Sequence, residues 1–240
     1  DWWVPLIGTL PLAEIHDGTL APHLQAMRDK GLSAGSINRY TTDLRVILKR
    51  AARKWRDEKG MPWLASLPIL SYEIGPARQP RPISFEEQAK LLKELPAKMA
   101  EMVLFLINTG LRDQEACGLR WEWERKVEGT DYTVFVLPGE NTKNGRERIV
   151  PLNSIARSVV DAQRGRNAEW VFTYYAGRRR NRVFTQSFAD ARKRAGLDDV
   201  RVHDCRHTFG QRLRAAGVDY EDRQDLLGHH RGSVTTHYCQ

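Results

Sequence analysis

Cysteine is scarce in this chain and never paired at short range. Cys117, Cys205 and Cys239 are the only three in 240 residues, with no C-x-x-C among them. That argues against a disulfide framework and fits a reducing cytoplasm. No apolar run is long enough to span a bilayer. The opening Asp1-Trp2-Trp3 is neither basic nor followed by an apolar stretch of the right kind, so no signal peptide is read there. Metal-ligand spacing is also lacking. His203 and His207 stand four apart, with His229, His230 and His237 nearby. No carboxylate or cysteine completes a set, so a zinc or hydrolase site is the weaker reading and no metal or cofactor is expected.

What is present supports a folded, basic protein. Hydrophobic residues make up 41% of the chain, enough for a sizeable core in one large domain or two smaller ones. The formal net charge of +8 points to an anionic partner. Trp2 and Trp3 read as buried aromatics without their partners, as if the chain began partway into a larger protein. Residues 1–75 read as all helix. Thr19 is expected to cap a helix through Lys30, ended by Gly31. Ser33 or Ser36 opens a longer one, with Ile37, Tyr40, Leu44, Ile47, Leu48, Ala51 and Trp55 on one stripe. Between residues 36 and 60 lie eight lysines and arginines against three acids, Arg39, Arg45, Lys49, Arg50, Arg53 and Lys54 among them. This is either a solvated basic face or a surface that tracks DNA phosphates; the stretch alone does not decide.

Gly75, Pro76, Pro80 and Pro82 exclude a helix, so residues 76–83 read as a linker and residues 84–240 as a second domain. Ser84-Phe85-Glu86-Glu87 is a capping box. A helix follows to Leu95, Pro96 restarts another, and the apolar run 102–107 is expected to be buried until Gly110 stops it. Arg112 comes just after that glycine, with Glu115 three residues on and well placed to hold its guanidinium. Residues 133–137 and 148–152 read as two strands joined by a turn that carries Lys143, and Asn153 caps the next helix. A very basic loop follows, with Arg178, Arg179, Arg180 and Arg182 as a phosphate-facing patch. The fold expected is mainly α with a small antiparallel sheet (α+β).

The last forty residues, RVHDCRHTFGQRLRAAGVDYEDRQDLLGHHRGSVTTHYCQ, concentrate the chemistry. His203 and Arg206, three apart, share one side of a helix. Val202, Cys205, Phe209 and Leu213 form its core stripe, and Gly217 stops it. A second short helix ends at Gly228, followed at once by His229 and His230. A third begins near Ser233 and carries Tyr238. Taken singly, a helical arginine is usually a solvated face and a lone histidine usually structural. Together they suit phosphate chemistry.

TGLRDQE with GLRW, the Lys143 turn, HDCRHTF, LGHH and the terminal TTHY occur in that order. From about Ile83 to Tyr238 the chain resembles the tyrosine recombinases, the phage-integrase family, and residues 1–75 resemble that family's core-binding domain. The resemblance implies a catalytic set of Arg112, Lys143, His203, Arg206, His229 and the nucleophile Tyr238, supported by Glu115 and His230. It also implies a C-shaped clamp on double-stranded DNA, a homotetramer on two DNA partners formed from free monomers, possible accessory DNA-bending proteins, and a bacterial cytoplasm, host or prophage-encoded. Departures are Cys205 where a larger aliphatic is common, a sequence that stops two residues past Tyr238, and the lack within this sequence of the small extra DNA-binding domain that many phage integrases carry ahead of the core-binding one. A type IB topoisomerase shares the residue logic, but the linker domain and size expected of one are absent. A DNA-binding regulator that has lost catalysis is disfavoured, since all six positions are filled.

Overall fold

The computed structural model describes residues 2–76, 78–174 and 177–228, which fall into two units, Asp1–Arg78 and Gln79–Gln240. Among the described residues the architecture is mainly α with one small antiparallel sheet.

The first unit holds α1 (Val4–Ile7), α2 (Asp17–Asp29) and α3 (Ala34–Arg53). The cap of α2 is His16, not Thr19: the His16 ring nitrogen accepts from the Gly18 N–H at 3.1 Å, and Thr19 Oγ1 accepts from the His16 N–H at 2.9 Å. Ser33 caps α3. The buried stripe of α3 is Ile37, Thr41, Leu44, Leu48 and Ala51, and its apolar members pack in one cluster with Leu20, Leu24 and Met27 of α2. Tyr40 and Ile47, expected on that stripe, lie on its exposed flank. Trp3 has its partners within the chain: its indole N–H donates to the Tyr40 carbonyl at 2.7 Å and its ring meets His23 edge-on.

Helix does not continue to residue 75. Pro62 and Pro68 break the pattern, and residues 54–76 form a non-helical strap. Side chains of α2 and α3 satisfy its backbone. Arg45 donates to the carbonyls of Leu70 and Ser71 and stacks on Tyr72 with 3.7 Å from guanidinium carbon to ring centre. Asn38 brackets the Glu73 peptide, and Asp17 accepts from Ser71.

In the second unit the Ser84–Glu87 box closes as expected at the start of α4 (Phe85–Glu94). Its successor α5 (Ala97–Thr109) is the central helix, with Met102, Val103, Phe105, Leu106 and Ile107 almost fully buried. Next comes the short α6 (Asp113–Cys117), then a sheet of β1 (Glu124–Lys126), β2 (Thr133–Leu137) and β3 (Arg148–Pro151), in that spatial order. Three charged residues, Glu-Arg-Lys, make β1, so no hydrophobic alternation announced it. Helices α7 (Ser154–Asp161), α8 (Gln186–Arg194), α9 (Val202–Ala215) and α10 (Tyr220–Leu227) complete the described residues. Nothing in the sequence marks α8, whose only buried residues are Phe188 and Ala191. Among the described residues no helix is long and apolar enough to cross a membrane.

Two features fix the corner where the expected site residues meet. Gly110 ends α5 in the left-handed region (φ 61°), and a Cβ there would lie 2.3 Å from Phe209 Cδ1. Only glycine lets α5 turn this close to α9. Thr208 of α9 is fully buried and accepts from the Ile83 N–H at 2.9 Å, so α9 also anchors the start of the unit.

Candidate active site

Arg112 follows the Gly110 turn as the N-cap residue of α6. Its backbone N–H donates to Glu115 Oε2 at 2.9 Å and its guanidinium to Glu115 Oε1 at 2.6 Å, so one carboxylate caps the helix and orients the side chain. Arg206 arrives from α9, 96 residues away from Gly110, and donates to the Gly110 carbonyl at 2.6 Å and to the Leu227 carbonyl at the end of α10. His203 lies one turn before Arg206 and meets His207 edge-on at 4.8 Å between ring centres. Arg112, Glu115, His203 and Arg206 thus converge on one corner.

Lys143 sits exposed on the turn between β2 and β3. Its neighbour Asn144 donates to the Gly228 carbonyl at 2.8 Å, which brings the turn against the end of α10. A cavity of about 340 Å³ opens there, lined by Arg112, Thr142, Asn144, Arg148, Leu226 and Gly228. A second, of about 200 Å³, is lined by His203, Arg206, His207, Arg223, Gln224 and Leu227. His229, His230 and Tyr238 lie outside the described residues.

Arg148 joins this corner without being among the residues expected there. It opens β3 on the same face as the buried Val150, opposite Leu137, and is only 5% exposed. Its guanidinium donates to Glu115 Oε2 at 2.6 Å and to the Leu226 carbonyl at 2.7 Å. Glu115 therefore carries two guanidinium groups, with a third close by. The signal was the alternation itself, since Arg148, Val150 and Leu152 fall in phase and a strand with two apolar members on one face pulls the third inside.

The electrostatics follow from this packing. Burial alone opposes charge on Glu115, but Arg148 and the Arg112 N–H and guanidinium outweigh it and hold its pKa below the usual carboxylate value. Burial, followed by repulsion from Arg148 and Arg112, pulls the Arg206 pKa down to about 9, which still leaves it charged at neutral pH. Partial shielding, then His207 and Arg206, lower the His203 pKa. The shift favours the neutral imidazole, the form able to accept a proton.

The basic residues expected to face DNA divide into two groups. Arg39, Lys49, Arg50, Arg53 and Lys54 are exposed on or beside α3, while Arg45 is committed to the strap. In the basic loop Arg178, Arg179 and Arg182 are exposed. Arg179 stacks on Trp170 at 4.7 Å, and Arg180 is buried over Tyr174.

A chain with this arrangement has known relatives. The integrase of Salmonella phage P22 is 28% identical over 77% of this chain, and the chain spans only 48% of that protein's length. The tyrosine recombinase XerA of Pyrococcus furiosus is 26% identical, with 90% of this chain and 73% of XerA covered. Among solved structures, a lambda integrase dimer bound to a COC′ core site superimposes with a TM-score of 0.69 at 19% identity, over 94% of this chain and 82% of that one. The XerH recombinase on palindromic difH gives 0.65 at 21% identity, over 94% and 66%. The model of the phage integrase family matches residues 83–240, more than half of the sequence, and the chain belongs to that family.

Proposed function

We propose that this protein is a site-specific DNA recombinase that cuts and rejoins double-stranded DNA through a 3′-phosphotyrosine. The observation that carries the reading is the corner at Gly110, where Arg112, Arg206 and His203 are brought together from distant parts of the chain by α5, α6 and α9.

In this reading Tyr238 Oη attacks the scissile phosphorus. A tyrosyl–phosphorus bond forms, the bond to the 5′-oxygen breaks, and the phosphodiester energy is kept in the covalent adduct. A phenol with a pKa near ~10 leaves more easily than an alkoxide, so the 5′-hydroxyl of a partner strand reverses the step. The five-coordinate phosphorus carries extra negative charge on its non-bridging oxygens. Arg112 and Arg206 offer planar forks to those oxygens, and His229 adds a donor. Lys143 gives the departing 5′-oxygen its proton. His203 takes the tyrosine proton or holds the phosphate. Fixed arginine charge does the work a divalent ion would otherwise do, and no metal or cofactor is invoked. Glu115 and His230 are the supporting residues, Glu115 by holding the arginines.

Residues 1–75 serve as the core-binding half of a clamp around the duplex, residues 76–83 as the linker and residues 84–240 as the catalytic domain. A homotetramer assembles on two DNA partners from monomers, in the cytoplasm of a bacterial host and with accessory DNA-bending proteins where the target requires them. The deciding experiment incubates the chain with nicked duplexes tiled across the chromosomal flanks of its coding sequence. A covalent adduct resistant to denaturant is expected on one of them, and its absence from all overturns the reading.

DNA contact by α3 has its own test. Neutralising Lys49, Arg50 and Arg53 together is expected to weaken binding to any duplex. It should also flatten the plot of log affinity against log salt by roughly 0.9 for each phosphate that is no longer neutralised. Arg45→Gln, by contrast, is expected to lower the melting temperature and leave the salt slope alone, because Arg45 holds the strap. Equal slopes for the triple variant and the parent place this face elsewhere.

A further inference from the structure

Resting on the recombinase reading, we infer that Arg148 and Asn144 are positioning residues, which key the hairpin carrying Lys143 to the peptide unit just ahead of His229. Three observations converge on the end of α10, which leads into that peptide. Arg148 extends its fork from β3 to Glu115 on one side and to the Leu226 carbonyl on the other, 78 residues away in sequence. Asn144, next to Lys143, closes the other end by donating to the Gly228 carbonyl at 2.8 Å. Between them Gly228 adopts φ 59° and lies so close to the Arg148 stem that a Cβ would sit 2.9 Å from its Cδ. The end of α10 is thereby gripped from the hairpin by a side chain beneath it and a side chain beyond it.

The energetics argue for placement over stability. Arg148 is buried, and its Nε lacks a hydrogen-bond partner among the described residues. An orphaned buried donor is costly, and an apolar residue of similar size in place of a buried ion pair is often neutral or stabilising. What an apolar residue cannot supply is a fork that fixes a carboxylate and a helix-end carbonyl at once. Glu115 orients Arg112, so Arg148 ties the arginine of α6, the hairpin of the proposed general acid and the approach to His229 into one frame. A displacement of about 1 Å at such a frame is enough to cost on the order of 100-fold in rate.

The test uses the full chain and the nicked duplex that traps it, made in two forms: one ordinary, the other with sulfur replacing the bridging 5′-oxygen at the cut. A thiolate leaves without needing a proton, so the sulfur form bypasses the general acid. Asn144→Ala, on an exposed turn, is expected to fold with an unchanged melting temperature and bind the duplex within about twofold of the parent. Its single-turnover cleavage of the ordinary duplex should fall about 10- to 100-fold, with near-parental cleavage of the sulfur form. Arg148→Met also loses its tie to Glu115, so sulfur is expected to restore only part of its rate. Parental rates for both variants on the ordinary duplex overturn the proposal, as does an Asn144→Ala defect of equal size on both forms. A parent chain that traps no adduct on either form overturns the recombinase reading itself, a distinguishable result.

Discussion

Tyr238→Phe is expected to abolish the covalent protein–DNA adduct while leaving folding and duplex binding at parental levels. The substitution keeps the ring and removes the oxygen proposed to bond phosphorus, so no bond forms at that position. Outright loss of a nucleophile costs on the order of 10⁶ in rate, beyond the reach of a gel assay. Loss of a single positioned donor costs only about 100- to 1,000-fold. The two are therefore separable. Arg206→Gln should leave a slow but measurable trace of adduct on long incubation, and Tyr238→Phe none. The measurement is denaturing electrophoresis of the nicked duplex after incubation, with peptide mapping of any product. Tyr220 is the competitor to watch. It opens α10 and is 62% exposed. A persistent adduct that maps to Tyr220 would sink the assignment of Tyr238.

Local chemistry made much of this molecule legible from sequence. The Ser84–Glu87 box, the Gly110 stop, the Asn153 cap and the β2–β3 pair each depend on a few adjacent residues, and each appears where those residues place it. The grouping of Arg112 with Glu115 needed only three-residue spacing on a helix start. What failed depended on partners distant in sequence. Arg45 looked like part of a basic face, and only the return of the strap against α3 shows that its donors are already taken. Arg180 looked like a phosphate contact but is buried over Tyr174. Arg148 looked like a strand end because its partners, Glu115 and Leu226, lie 33 and 78 residues away. In all three cases a guanidinium found a third-dimension partner that charge counting along the chain had no means of registering. Spacing within a helix foretold the joining of Arg206 with Arg112 no better; the shared motif order of a family did that.

The Glu115 carboxylate is where charge and stability meet, and Glu115→Gln is expected to be the most destabilising conservative change in the second unit. Glu115 is 4% exposed and accepts from both Arg112 and Arg148, while Arg206 adds a third positive charge close by. Glutamine keeps the shape and one acceptor but removes the negative charge that both guanidinium groups share. Leaving buried cations unpaired costs about 3–5 kcal/mol, a drop in melting temperature of roughly 6–20 °C for a unit of this size. The pH dependence identifies the cause. The folded-state pKa of Glu115 lies below its unfolded value. Its contribution is therefore fully present above the unfolded pKa of about 4.3 and is lost as pH falls through the lower folded value. Melting curves of parent and variant should stand furthest apart near neutral pH and converge in acid. Inorganic sulfate should narrow the neutral gap as well, because an anion between the arginines replaces the missing charge and stabilises the variant by mass action. A gap that ignores both pH and sulfate would mean that Glu115 acts through packing alone, and that the arginines at the Gly110 corner do not form one electrostatic unit.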